Sequence, residues 1–558
     1  MIKKISPWLI AAVFIIFFCL SFIPIYLLRP NLTSTGDDQS YVSHAFTIGL
    51  DFDLDYSNEM SSLVSSFKAA QSSMPSHPIG SGIVAAPFVA LFGIIDRIQG
   101  NPVIHDRTAY LHSWSFFGFL FASSTAILAG AGLYLNTIRK LLKKPHVPVL
   151  LLSIVSSGIV YYGLGRYTMS HSFEFFSAAL LTHFSVYYAA AKDENKNKFI
   201  LLLGISFSLL LCILIRYNNI HLILLPFIIS ILTKTQMHKP PVTRRMITEL
   251  ALSCLVALGV FMLISYILYN ELFPTFWNLY SLSHIDQQGF YERAILKAIR
   301  LIPNIFPLIF GPEFGLIWSF PALIFGSIEM FRYAFTKINP KKGARDRIIF
   351  IALLFIYIAF PTAIVLYWET TASSYGFRYL FSLMPIAVIG GLFFWQRTTA
   401  RIINGKLKKI LNTSIRTAFC ILLITGTLSF LFFLVTPGLK LRPQTNVFGK
   451  HHNYSANHYL TELGKAVIKP KNWVLMAGKG ALGLPFAYLA AENEKMAQFI
   501  PALYRNKFLP YYTGIPIRIF IQVFVLICTW GTVGFVIGKI PVKKGVAEHE
   551  TNNTDSLL

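Results

Sequence analysis

Apolar residues in this chain come in blocks of about twenty, separated by short polar and basic stretches. A helix needs about that many to cross the hydrocarbon of a bilayer, and a helix satisfies its own backbone hydrogen bonds there. The blocks predict twelve spanning helices over 8–28, 111–135, 147–164, 172–191, 198–215, 219–235, 247–269, 314–335, 347–367, 376–395, 416–436 and 518–538. The first follows Lys3 and Lys4 as a signal peptide would, but its length and the lack of a small-residue cleavage site before Arg29 predict a retained helix. A further run at 81–98 (SGIVAAPFVALFGIIDRI) meets Asp96 early and predicts a re-entrant or surface-lying helix that does not cross. No internal repeat is visible, which argues against a transporter built of inverted halves.

Composition agrees with the pattern: 54% of the 558 residues are hydrophobic and only 13% charged, against about 25% charged in soluble domains. A soluble globular protein, a disordered chain and a disulfide scaffold are thereby excluded, leaving an all-α polytopic membrane protein. The net charge of +24 does not point to nucleic acid, because the basic residues fall between the apolar runs rather than on one soluble face. Short segments that would be cytoplasmic with the N-terminus inside hold 28 of the 49 lysines and arginines, as the positive-inside rule requires. Both termini are then cytoplasmic, and 29–110, 270–313 and 437–517 face the other side. The five cysteines lie within apolar runs without CxxC spacing, so neither disulfides nor a cysteine metal site is expected.

Candidate chemistry gathers on that outer side. Residues 31–80 carry six acids against Lys68 alone. Asp37 and Asp38 follow the first span closely, and a carboxylate held there can take a proton from a hydroxyl as a general base. The competing reading makes either of them the cap of a helix beginning near Gln39. Asp51, Asp53 and Asp55 in DFDLD have a spacing that could ligate Mg²⁺ or Ca²⁺, but Tyr56 and Ser62 stand where an EF-hand needs Gly and Glu, so solvated turn acids are expected. Arg166, His171 and Glu174 cluster in GRYTMSHSFEFF, with His171 and Glu174 on one helix face. Arg216 follows the fifth span, Glu313 precedes the eighth, and Glu369, Tyr375 and Arg378 lie in WETTASSYGFRYL between the ninth and tenth. Helix-end pairing and snorkelling explain any one of these; the set at one depth stands out because the inner span ends are expected to lack such aromatic-plus-acid groups. Arg378 and Arg216 could bind phosphate oxygens there, and the aromatic run 273–280 could line a groove for an acyl or isoprenoid chain.

Several motifs in order resemble the GT-C superfamily of integral-membrane glycosyltransferases. GDDQSY (36–41) resembles that family's GDExxY after the first helix, with Asp38 for Glu, and LDFDLDYSNE (50–59) resembles the continuation in bacterial members. SHPIGSGIVAAPFVALFG (76–93), GPEFGLIWSFPAL (311–323) and YWETTASSYGFRYLFSLMP (367–385) resemble later motifs, with Glu369-Thr370-Thr371 where glycines are usual. The resemblance is to bacterial polyprenyl-phosphate-sugar-dependent members, the group of protein O-mannosyltransferases and lipid A aminoarabinose transferases. It implies a hexosyl- or pentosyltransferase in the inner (plasma) membrane that moves a sugar with inversion from a polyprenyl-phosphate donor to a glycan, lipid or protein acceptor. Asp37, with Asp38, would be catalytic; Arg378, Arg216 and Tyr375 would hold the donor phosphate. His171, Glu174, Arg166, Glu313, Glu369 and His77 would line the substrate site. Members differ in metal use, and no cofactor is expected. The resemblance divides the chain into a transmembrane catalytic module (1–436), a basic extracytoplasmic segment (437–517) that matches nothing in it, and a last helix with its tail (518–558). Two other readings stay open: a lipid-linked oligosaccharide flippase, which should line a central cavity with charge, and an envelope polymerase or ligase, which would lean on outer-loop arginines such as Arg293 and Arg300.

Overall fold

A computed structural model describes residues 36–56, 75, 77–100, 113–142, 145–164, 167–191, 197–273, 305–311, 315–338, 344–368, 377–400, 406–435 and 458–470. The expected first and last spans, and most of 437–517, lie outside the described residues. Every element among those described is helical: α1 (Gly36–Phe46), α2 (Gly80–Ile98), α3 (Trp114–Leu141), α4 (Val147–Ser156), α5 (Ile159–Leu164), α6 (His171–Ala190), α7 (Lys198–Ile215), α8 (Leu225–Gln236), α9 (Arg244–Tyr269), α10 (Ile305–Phe310), α11 (Leu316–Ser319), α12 (Pro321–Thr336), α13 (Ala344–Trp368), α14 (Met384–Ala400), α15 (Lys406–Val435) and α16 (His458–Ile468). A π-helical turn, Thr47–Asp51, follows α1, and 3₁₀ turns, Tyr217–Leu224 and Arg378–Leu383, lead into α8 and α14. Eight helices among the described residues are long and apolar enough to cross a membrane, and the protein is an all-α polytopic membrane protein.

Two expected spans are broken. The 147–164 run divides into α4 and α5 at Ser157–Gly158, where Gly158 adopts φ +81°, a conformation glycine takes without steric cost. The run from 314 divides at Phe320, with Pro321 opening α12 where its missing N–H costs nothing. Capping fixes other ends. Ser113 accepts from the Phe116 amide at the start of α3 and Thr243 from the Met246 amide at the start of α9. The buried Asp96 carboxylate of α2 accepts from the Trp114 and Ser115 amides at 3.0 and 2.7 Å, a negative charge set against the positive end of the α3 dipole.

α3, α6 and α7 form the frame that positions the site. α6 runs parallel to α3, with Ser123 bonded to Ser172 and Thr137 to His183; α7 returns antiparallel. Because Ser123 is level with the start of α6, the first nine residues of α3 stand about 14 Å beyond the ends of α6 and α7 at 1.5 Å per residue. α2 lies along that projecting part. Its Gly80 abuts the end of α7, where a Cβ would come within 2.5 Å of the Ile215 nitrogen, and its Phe92 packs on Phe117 and Trp114. The run 81–98 is thus a nineteen-residue helix long and apolar enough to cross a membrane, but it packs in a layer beyond the ends of α6 and α7. At the centre, every residue from Leu380 to Phe394 is buried. α14 meets α12 there at Gly326 and Gly390, so closely that a Cβ on Gly390 would strike the Gly326 carbonyl. Small residues at a crossing are how membrane helices gain packing contact.

Candidate functional site

The ends of α1, α6, α7 and the 3₁₀ turn before α14 meet at one end of the bundle. α1 begins at Gly36, so Asp37 and Asp38 both fall in its first turn rather than before a helix at Gln39. Asp38 is fully buried and accepts from the Thr168 hydroxyl at 2.5 Å, a partner 130 residues away. The side chain of Asp37 lies outside the described residues. Burial, and then the negative charge of Asp38, push the Tyr167 phenol well above its ordinary pKa.

Three to six residues beyond Thr168 in the chain, His171 and Glu174 form a compact cluster with Arg216. The Arg216 guanidinium donates through Nη1 to Glu174 Oε2 at 3.3 Å, and lies 2.8 Å from His171 Nδ1 and 3.5 Å from the Arg378 carbonyl. His171 Nδ1 is also 3.1 Å from Glu174 Oε2. A guanidinium only donates, so the Arg216–His171 contact is a hydrogen bond when Nδ1 is unprotonated and the imidazole carries its proton on Nε2. His171 and Glu174 are each about 1% exposed. Burial opposes the charge on Arg216, and Glu174, with Tyr379 and Tyr41, more than offsets it, raising the guanidinium pKa. Tyr379 carries two cations on one ring: the Arg216 guanidinium carbon is 4.6 Å from its centroid and that of Arg378 is 5.1 Å. Arg378 and Tyr379 are only partly buried.

His77 joins a neighbouring network. Its Nδ1 is 3.0 Å from the Ser40 hydroxyl, and its ring meets Tyr41 edge-on at 5.3 Å. Its carbonyl accepts from His44 Nε2 at 2.9 Å, and Tyr56 donates to His44 Nδ1 at 2.7 Å. The carbonyl can only accept, which places the proton of the neutral ring on Nε2, and burial holds the His44 imidazole down at about 4.

The structure therefore brings together Asp38, His77, His171, Glu174, Arg216 and Arg378 from segments up to 340 residues apart. Arg166, Glu313, Glu369 and Tyr375 lie outside the described residues. Thr168, Tyr379 and His44 were not singled out in the sequence: each is a common polar or aromatic residue whose significance comes from a distant partner. In DFDLD, the Asp53 carboxylate accepts from the Asp55 amide at 3.1 Å, which is a turn-forming role.

The opposite end of the bundle corrects the expectation that its span ends lack acid-and-aromatic groups. Glu249 is bonded there to Arg245, Lys198 and Tyr188. The buried Glu329 is held by Arg332 and by Arg397, whose guanidinium packs on Phe394. These groups were hidden because their acids sit inside the apolar runs, Glu249 two residues from the start of 247–269 and Glu329 six residues from the end of 314–335. Depth alone therefore does not mark the first cluster out; its two arginines on one ring distinguish it.

No family model matches the sequence, and no curated protein does. Among solved structures, the chain is similar to the oligosaccharyltransferase of Archaeoglobus fulgidus in its apo form, with a TM-score of 0.42 and 12% identity over 82% of this chain and 64% of that one. It is also similar to the archaeal oligosaccharyltransferase AglB from Archaeoglobus fulgidus in complex with an inhibitory peptide and a dolichol-phosphate (TM-score 0.37, 11% identity, 81% and 62% covered). A third, the same organism's oligosaccharyltransferase in complex with Zn and sulfate, gives 0.36 and 13% over 79% and 59%. The chain thus spans less than two thirds of the length of the proteins it matches.

Proposed function

We propose that the protein is an inverting glycosyltransferase that moves a sugar from a polyprenyl-phosphate donor to an envelope glycan, glycolipid or protein acceptor, on the extracytoplasmic side of a bacterial inner membrane. The observation that carries this reading is the meeting, at one end of a membrane bundle, of the aspartate-bearing first turn of α1 with Arg216, Tyr379 and Arg378. The motif resemblance in those same segments supports it.

In this mechanism an acceptor hydroxyl gives its proton to the Asp37 carboxylate as its oxygen forms a bond to the anomeric carbon. The bond from that carbon to the phosphate oxygen breaks, and polyprenyl phosphate leaves with the electron pair. Arg378 offsets the charge that develops on the phosphate. Asp37 is preferred to Asp38 as base because Asp38 is enclosed and already accepts from Thr168; Asp38 instead anchors the turn that carries Asp37.

The test compares glycans and glycolipids from cells carrying wild-type protein, no protein, or Asp37→Asn, which keeps size and removes the base. The expected result is a sugar missing from both the null and the mutant. Loss in the null alone would remove Asp37 as base and favour the flippase or polymerase reading.

A further inference from the structure

Two arginines face one partly exposed tyrosine at the candidate site, yet they stand in different surroundings. Arg216 is turned inward: one nitrogen, Nη1, meets Glu174 Oε2 at 3.3 Å, His171 Nδ1 at 2.8 Å and the Arg378 carbonyl at 3.5 Å. Its side chain is 11% exposed, and the carboxylate it pairs with is 1% exposed. A guanidinium so paired has its charge offset inside the protein, where an ion pair is weakly screened. The imidazole that completes the cluster is held between Tyr162 at 4.4 Å and Phe381 at 5.6 Å, both edge-on, so His171 has little freedom to swing away. Phe381 belongs to the same 3₁₀ turn as Arg378 and Tyr379.

Resting on the phosphate-donor reading above, we propose that Glu174, His171 and Arg216 are positioning residues for Arg378: Arg216 does not itself hold the donor phosphate but pins the backbone and the ring platform from which Arg378 does. The hydrogen bond to the Arg378 carbonyl fixes the start of the turn, and the shared Tyr379 ring sets where the second guanidinium lies. Glu174 and His171 keep Arg216 facing that carbonyl. Preorganising a phosphate-binding arginine in this way lowers the ordering cost of donor binding.

The alternative, in which Arg216 is a direct phosphate ligand and Glu174 its resting partner, predicts the opposite sign for one substitution. If Arg216 binds phosphate, Glu174→Gln frees its charge and tightens donor binding. If Arg216 positions Arg378, Glu174→Gln loosens the cluster and weakens binding. The probe is undecaprenyl phosphate, titrated into the purified full-length protein in detergent, with melting temperature recorded for each variant.

The expected results are a loss of roughly tenfold or more for Arg378→Ala, in line with removal of a charge-assisted hydrogen bond, and a loss of roughly three- to tenfold for Glu174→Gln. In the double variant Glu174→Gln/Arg378→Ala, affinity equals that of Arg378→Ala alone, because residues acting through one another are not additive. Tighter binding by Glu174→Gln, or an undiminished effect of Glu174→Gln in the double variant, overturns the positioning role while leaving the donor reading intact. Absence of undecaprenyl phosphate binding by the wild type would remove the donor reading itself. Should Glu174→Gln not purify as a folded protein, Tyr379→Leu removes the shared platform, leaves every charge in place and carries the same non-additivity test.

Discussion

His44 makes two hydrogen bonds, donating to the His77 carbonyl and, in its neutral form, accepting from Tyr56. Its folded pKa of about 4 lies below the ordinary 6.5, so the unfolded chain binds the proton first as pH falls. The stabilisation is complete above pH about 6.5 and is lost progressively down to about 4, on the order of 3 kcal/mol for one buried group. Melting temperature in detergent should therefore decline through that window, and His44→Gln should flatten the decline; an equal decline in the variant would assign it to other groups. Asp38 shows what a sequence can and cannot say at this scale. Its acidity and its place after the first apolar run marked it as a candidate or a cap, but the choice between those depended on Thr168, whose only sequence signature is being a polar residue in GRYTMSH. Arg378 and Arg216 were legible because charge next to an apolar run is costly and needs a reason. The tyrosine they share was not, since tyrosines are common at membrane interfaces.

At the scale of elements, the apolar runs located the helices well because length and hydrophobicity are the property that selects them. α6 and α7 match their expected spans to within a residue or two. Breaks were harder to read, since Gly158 and Pro321 are single residues inside runs that remain apolar throughout. Helix crossings were not legible at all. Gly326 and Gly390 lie 64 positions apart, and nothing in either run announces that the two backbones touch there. Gly326→Leu should force α12 from α14 and cost about 1–3 kcal/mol, as overpacking does, seen as a lower melting temperature in detergent. Gly259, beside which a Cβ meets nothing within 4 Å, is the matched control, and Gly259→Ala should leave the melting temperature unchanged or raise it slightly.

For the whole molecule, composition and the distribution of basic residues were enough to predict a polytopic helical bundle, whereas the ion-pair clusters at its two ends had to come from the structure. Glu329 lies at the far end, with about 20 Å of α14 between Met384 and Arg397. It is buried, while both of its arginines are partly exposed. Glu329→Gln leaves two guanidiniums without their carboxylate and should cost about 2–3 kcal/mol, less than a fully buried pair because water reaches the arginines. Undecaprenyl phosphate affinity should be unaffected, which would separate the structural end from the binding end; a parallel loss of affinity would argue that the two ends are coupled. The projection of α2 and the start of α3 past the ends of α6 and α7 has a consequence for the surrounding lipid. α3, at 28 residues, is about 42 Å long and α6, at 20, about 30 Å, and the outward face of α2 presents Leu91, Ile94 and Ile98. A leaflet matched to α6 would leave that oily stripe among headgroups, so the mismatch is relieved when acyl chains climb toward it. Under the proposed function, local swelling of the bilayer beside the aspartate-bearing turn would let a long isoprenoid tail stay in hydrocarbon while its phosphate reaches Arg378.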